Sequence, residues 1–362
     1  MIPMATGGSI AIFLPNWVGD VVMATPAISA LARHYAGRRI IHVGKPVALA
    51  TLGPVAGPED MVALPTGVRA SAKRLRQIGI DLAVLLPNSF RSALIARLAG
   101  ADRLAGYARD SRGWLLTDKR LPPRLPNGSY KPISAVDYYI DLAEMLGANC
   151  ISRDLSLPIE PQQECAADAI LAAAGVDRDR PVVMLNPGAS FGTSKMWSAE
   201  RYAALADMLV ERTGAQIIIN AAPAERRIAG WVARAMRTIP AISFAERNNS
   251  LGLLKALLRR CDLLVTNDTG ARHLAAAAGI AIVTIFGSTD PEWAKIDYPR
   301  ERIVRENVEC SPCQRKLCPQ PAGPEYHKCL ELISPEKVYT AAEELLEESG
   351  RIVAPIRTGG LQ

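Results

Sequence analysis

Four places in this chain combine residue types suited to group-transfer chemistry, and each stands where an apolar run gives way to a turn. The first is Asp20. It closes the segment Pro15-Asn16-Trp17-Val18-Gly19-Asp20 between the apolar run 10–14 and a long apolar stretch of helical pattern. A carboxylate there suits a helix N-terminus, and it equally suits a general base that takes a proton from a hydroxyl. Trp17 beside it reads as packing. The second place is the turn NPGASFG at 186–192, with Ser190 inside it and Lys195 just beyond. The third is Glu225 with Arg226, after an apolar run ending at Asn220. The fourth is Asn267-Asp268-Thr269-Gly270, which ends the run DLLVT and opens a small-residue helix carrying His273.

A strand that ends in Asp-Thr-Gly and opens a helix gathers free backbone N–H groups and the positive helix end at one point, which suits a diphosphate. A lysine nearby can neutralise the same group, and a carboxylate one strand over can hold a ribose hydroxyl pair. The plainer alternatives are a solvated loop charge for Lys195 and a first-turn acid favouring the helix dipole for Glu225. For Asp20 the plainer alternative is an N-cap.

Positioning these groups requires strands that end together. From 10 to 107, apolar runs of four to six residues alternate with helical segments, including one helix over 20–35; this is the pattern of βαβ units on a parallel sheet. The pattern restarts after Pro158-Ile159-Glu160-Pro161 and continues to a final helix opened by Ser334-Pro335-Glu336. The expected class is α/β: two doubly wound, Rossmann-like domains facing each other across a cleft, with ligands at the carboxyl ends of the strands. The expected bounds are 1–158, 159–333, and a C-terminal helix and tail at 334–362 that packs back on the first domain. Residues 109–133 break the rhythm with Arg109, Arg112, Lys119, Arg120, Arg124 and Lys131 among four prolines. They read as an exposed basic loop and not as a packed element.

At 362 residues the chain is long enough for two such domains, and an aromatic content of 5% within 49% hydrophobic residues favours parallel α/β sheets over an aromatic-rich sandwich. The formal charge of +6 points to acidic partners. No RRM, helix-turn-helix or zinc-finger pattern is present, so nucleic acid is not expected among them. Absence of GxGxxG counts against an NAD-dependent dehydrogenase. No signal peptide or membrane-spanning run is visible, so a cytoplasmic protein is expected. Of seven cysteines, Cys310, Cys313, Cys318 and Cys329 cluster with His327 in a proline-rich segment. That composition is open to a structural zinc site, to free thiols or to disulfides.

The blocks LPNWVGDVVMATPAISAL, NPGASFGTSKMWSAERYAAL, NDTGARHLAAAAG and IFGSTDPEW, in this order, resemble glycosyltransferase family nine, the ADP-heptose heptosyltransferases of lipopolysaccharide synthesis. The resemblance runs from about 10 to 345. LPNSFRSAL at 86–94 and the CSPC segment are similar to the heptosyltransferase II branch. The resemblance implies a GT-B fold and an inverting transfer without a metal at the reacting centre. It implies Asp20 as catalytic base and Lys195 on the departing diphosphate. Ser190, Glu225, Asp268, Thr269, Gly270 and His273 would bind the ADP-heptose donor. Asn88 and the basic Lys119, Arg120 and Arg124 would bind an anionic, lipid-linked lipopolysaccharide core. A monomer working at the inner membrane leaflet is expected. Ala271-Arg272 departs from the less basic pairs of many relatives, leaving Arg272 as a phosphate contact or a solvent-facing charge. A non-catalytic nucleotide-sugar binder would keep the 186–195 and 267–273 elements without needing Asp20.

Overall fold

A computed structural model of the chain describes residues 8–54 and 60–352. It divides into two compact units, residues 1–158 with 292–297, and residues 159–291 with 298–362.

The first unit runs β1 (Ser9–Phe13), α1 (Val18–Met23), α2 (Thr25–His34), β2 (Ile40–Gly44), α3 (Pro46–Leu52), β3 (Met61–Ala63), α4 (Val68–Ile78), β4 (Ile80–Leu85), α5 (Phe90–Ala99), β5 (Arg103–Tyr107), β6 (Asp118–Arg120) and α6 (Ala135–Met145). Its strands are parallel in the order β3-β2-β1-β4-β5-β6. Every residue of β1 is buried, because the sheet is covered on both faces. Ile10 and Ile12 pack with α2 and α6 on one face, and Ala11 and Phe13 with α5 on the other.

The second unit runs α7 (Pro161–Ala173), β7 (Val182–Asn186), α8 (Ala199–Thr213), β8 (Gln216–Ile219), α9 (Arg226–Ala235), β9 (Ile242–Ser243), α10 (Leu251–Leu258), β10 (Leu263–Asn267), α11 (Gly270–Ala278), β11 (Ala281–Phe286), β12 (Glu301–Arg305), α12 (Lys328–Glu331) and α13 (Pro335–Glu348). Its sheet order, β12-β11-β10-β7-β8-β9, is the same winding as the first. In each unit the first and fourth strands are neighbours, and the chain leaves them in opposite directions. That divergence opens a crevice at their carboxyl ends: β1 and β4 in one unit, β7 and β10 in the other.

Serine caps set several helix starts. Ser89, Ser134, Ser198, Ser250 and Ser334 each accept a backbone N–H of the helix that follows. Three expectations are corrected. The single helix over 20–35 is two, because Pro26 has no N–H for the Val22 carbonyl; the Thr25 hydroxyl takes that carbonyl instead, at 2.7 Å. The 109–133 segment is partly packed: β6 extends the sheet, and Arg112, Leu115 and Leu116 are buried. The final helix α13 packs on α8 and on β10 to β12, so it belongs to the second unit and not the first. Its apolar face, Val338, Ala342, Leu345 and Leu346, finds its cover there. The tail at 353–362 lies outside the described residues. Among the described residues no helix is long and apolar enough to cross a membrane.

Candidate active site

In the second unit the carboxyl ends of β7 and β10 bring together residues about eighty positions apart. Lys195, closing a one-turn 3-10 helix, places its Nζ 2.5 Å from Asp268 Oδ2 and 3.2 Å from the Asp268 carbonyl. The lysine also lies over the Phe191 ring, 4.8 Å from its centroid. Thr289 donates to the same Asp268 oxygen at 2.8 Å. Burial alone would raise the Asp268 pKa, but the charge and hydrogen bond of Lys195, helped by Thr289, hold it below the usual carboxylate value. Next along the chain, α11 starts at Gly270 with Thr269 as its N-cap residue. No side chain caps it, so the first N–H groups remain for another acceptor. A half-buried lysine held by Asp268, an uncapped helix start and the backbone turn between them gather hydrogen-bond donors suited to a diphosphate.

Glu225 sits one strand over, where a one-turn 3-10 helix meets α9. Burial raises its pKa, opposed by the Ala222 backbone and by Ser190, whose hydroxyl donates to Oε1 at 3.4 Å. Gly188 faces this carboxyl so closely that an added Cβ would come within 2.3 Å of it, so glycine supplies the room Glu225 occupies. Behind these groups runs a chain of amides. Asn249 donates to Asn220 at 2.6 Å, Asn220 to Asn186 at 2.7 Å, and Asn186 to Thr266 at 3.1 Å and Thr269 at 3.3 Å. Asn267 accepts from the Trp197 N–H and the Tyr202 hydroxyl and donates to the Pro187 carbonyl. Each strand end is thereby fastened to the next.

His273 is buried on α11 with its Nδ1 unpartnered, and burial with the Arg272 charge lowers its pKa to about 3. Arg272 takes neither of its expected roles. It is wholly buried, with Nε 2.5 Å from Glu301 Oε1 and Nη2 2.8 Å from Oε2, while Thr284 donates to the same carboxylate. It fastens α11 to β12, because a cation on the inward face of a covered helix needs a buried anion.

His42, on β2, is the second buried histidine; both ring nitrogens lack a partner, and burial lowers its pKa to about 4 against the opposing Asp60 charge. In both cases the folded pKa lies below the unfolded value near 6.5, so the unfolded chain gains protons first as pH falls. Stability is therefore complete above about pH 6.5 and declines toward pH 4, by up to about 1.4 kcal/mol per pH unit for each histidine. Urea unfolding midpoints should fall between pH 6.5 and pH 5, and less so in His42→Gln. A pH-independent midpoint across that window would refute this assignment.

In the first unit Asp20 follows β1 and Asn88 follows β4, so both lie at that unit's crevice. Asp20 is not an N-cap. Trp17 holds that position, and Asp20 is in the first turn of α1, half-buried. Its charge adds to burial in raising the hydroxyl pKa of the buried Tyr139. Asn88 Oδ1 accepts from Arg112 at 3.2 Å and from Tyr138 at 3.0 Å. The three basic residues expected on the acceptor differ in their surroundings. Lys119 is exposed on β6. Arg120 grips Asp141 through two nitrogens, with Nε at 2.8 Å from Oδ2. Arg124 lies over the Tyr130 ring and donates to the Gly128 carbonyl.

The late cysteines give the zinc reading no support. All seven cysteines are free, and among the described residues no group of three or more His, Cys, Asp or Glu could hold a metal ion. Cys318 Sγ accepts the His327 backbone N–H at 3.3 Å, and His327 stacks on Tyr326 at 4.3 Å. Burial, with the neighbouring Cys310, Cys313 and Cys318, pushes the Cys329 thiol up to about 11.

Sequence reasoning missed Thr289, Tyr138, Arg112 and the amide chain. Thr289 carried a signal, since it lies three residues beyond β11 at its carboxyl end, and the amides Asn186, Asn220 and Asn267 end apolar runs.

The sequence profile of glycosyltransferase family 9 (heptosyltransferase) matches residues 68–322. The chain is 27% identical to lipooligosaccharide heptosyltransferase 2 of Campylobacter jejuni over 94% of its own length and 99% of that protein. It is 28% identical to lipopolysaccharide heptosyltransferase 2 of Escherichia coli K12, covering 93% and 98% of the two chains. The solved structure of E. coli ADP-heptose lipopolysaccharide heptosyltransferase II superposes with a TM-score of 0.74 at 24% identity, over 94% of this chain and 99% of that one, and shares the GT-B type of paired Rossmann-like units. With its profile matched over most of its length and its strand order repeated in both halves, the chain belongs to glycosyltransferase family 9, the heptosyltransferases.

Proposed function

We propose that this enzyme moves L-glycero-D-manno-heptose from ADP-heptose to the heptosyl-Kdo inner core of lipopolysaccharide, with inversion at the anomeric carbon. The observation that carries the reading is the buried Lys195–Asp268 pair beside the uncapped start of α11, in a chain of this family. Asp20 takes the proton of an acceptor hydroxyl as that oxygen forms its bond to the anomeric carbon. The bond from that carbon to the diphosphate oxygen breaks on the opposite face, and ADP leaves with the electron pair. Lys195 and the N–H groups at 270–271 meet the charge that develops on the diphosphate. Glu225, with Ser190, holds the ribose hydroxyls; Thr269 and His273 line the phosphate side. Incubation with ADP-heptose and defined core acceptors, followed by mass spectrometry, should show addition of one heptose. No product from any heptosylated Kdo acceptor would remove the reading.

Because Lys195 and the helix start supply the positive potential, transfer should proceed at an unchanged rate in the presence of a chelator. Loss of activity restored specifically by magnesium or manganese would refute this.

The acceptor is lipid-anchored and polyanionic, so we place the enzyme in the cytoplasm, peripheral to the inner membrane, with the first unit holding the acceptor largely by charge. Exposed charge contacts weaken as the screening length drops from about 10 Å at 0.1 M salt to about 3 Å at 1 M. Acceptor KM should therefore rise with salt far more than donor KM, and Lys119→Ala with Arg124→Ala should flatten that rise. Arg120→Ala should also lower the melting temperature, because it removes the cation paired with Asp141 and leaves that carboxylate only the Tyr107 hydroxyl. A wild-type salt response in the double variant would take the basic segment out of the acceptor site.

A further inference from the structure

Arg112 is wholly buried, yet its hydrogen bonds go to no carboxylate. Its guanidinium donates to the main-chain carbonyls of Tyr107, Pro87 and Ser89 and to the side chain of Asn88. These acceptors come from the end of β5 and from the loop leaving β4. The loop is therefore stitched to its neighbour by one cation whose pKa burial has lowered to about 10. Gly106, on β5, gives the guanidinium room: a Cβ there would lie 3.3 Å from Nη2.

The contact with Asn88 has a directional consequence. A guanidinium has donors and no acceptor, so the atom of the Asn88 amide that faces it must be the oxygen. Tyr138 reinforces the choice by giving its hydroxyl proton to the same oxygen at 3.0 Å. Tyr138 is itself fixed, stacked on Tyr107 with centroids 3.6 Å apart, and the Tyr107 hydroxyl is bound to Asp141 at 2.6 Å. With the oxygen doubly occupied, the amide nitrogen is turned the other way. It has no partner among the described residues and is not among the buried unpaired atoms, so it is open to solvent at the carboxyl end of β4.

We propose that Arg112 and Tyr138 are positioning residues that lock the Asn88 amide with its NH2 group presented as a fixed hydrogen-bond donor to an oxygen of the sugar acceptor, a hydroxyl or phosphate. This rests on the reading that the first unit takes the acceptor. Pre-setting the amide removes the ordering cost a free asparagine would incur on binding.

Asn88→Asp separates this role from a structural one. The aspartate keeps an oxygen for Arg112 and Tyr138, and gains an ion pair with the former, but replaces the outward donor by an anionic oxygen. The variant should melt at or above the wild-type temperature. Its acceptor KM should rise about tenfold or more, the scale of one lost hydrogen bond with repulsion added, while donor KM stays within about twofold. Tyr138→Phe, which keeps the stacked ring, should raise acceptor KM about threefold in the wild-type chain and leave it unchanged in an Asn88→Ala background. A wild-type acceptor KM in Asn88→Asp, or an equal Tyr138→Phe effect in both backgrounds, overturns the lock while leaving the transferase reading intact. A wild-type enzyme that transfers heptose to no core acceptor overturns both.

Discussion

Asp20→Asn is expected to lower turnover by about 10²–10⁴-fold, the usual contribution of a positioned general base, while ADP affinity stays within about twofold of wild type. The geometry allows so clean a separation. Asp20 lies in the first turn of α1 and is half-buried. Asparagine has the same shape and tolerates the same helical position, so the loop from β1 should keep its path. What disappears is the capacity to accept a proton. The groups proposed to hold the donor, Lys195, Asp268 and Glu225, belong to the other compact unit and are untouched. Steady-state turnover and calorimetric titration with ADP measure the two halves of the expectation. A folded Asp20→Asn protein with near-normal turnover would end the assignment of Asp20 as base.

The second large effect is expected at Lys195, and it has two parts. Lys195→Ala removes a charge-assisted contact to the diphosphate, worth roughly 1.5–3 kcal/mol, or about ten- to a hundredfold in ADP affinity. It also leaves the Asp268 carboxylate buried without its cation; breaking one side of a buried pair typically destabilises by about 3–5 kcal/mol. Thr289 and residual solvent offset part of that loss. The double variant Lys195→Ala with Asp268→Asn should recover much of the stability and none of the ADP affinity. Thermal melts and ADP titrations on the single and double variants distinguish the parts. Should ADP bind Lys195→Ala as it binds wild type, the lysine would have only a structural task.

How the local elements arise was legible from short windows of sequence. Alternating apolar runs marked the strands, because a sheet covered on both faces needs side chains apolar on both. The serine of Ser334-Pro335-Glu336 marked the start of α13. The turn residues around Asp20, Lys195, Glu225 and Asp268 stood out because polar groups directly after a buried strand mark the carboxyl edge where ligands bind. Where local reading failed, the deciding partner was distant. The split between α1 and α2 is the exception: Pro26 was in view, and only its missing N–H toward Val22 went unread.

The sequence by itself determined the α/β class, the division near residue 158, and the places of Asp20, Lys195, Glu225 and Asp268 in the turns that follow strands. All of these follow from hydrophobic period and turn chemistry within about ten residues. Tertiary structure alone decided which charges are surface and which are structural. Arg112 and Arg272 look like any other arginine in a basic or helical segment. One is buried because carbonyls from two separate strand ends converge on it, the other because Glu301, 29 residues away, meets it beneath α11. Likewise Lys195 and Asp268 are 73 residues apart, and only the pairing of β7 with β10 sets their charges in contact. The burial that makes such a pair strong is a property of the packed sheet, and it has no counterpart in the local pattern of either residue.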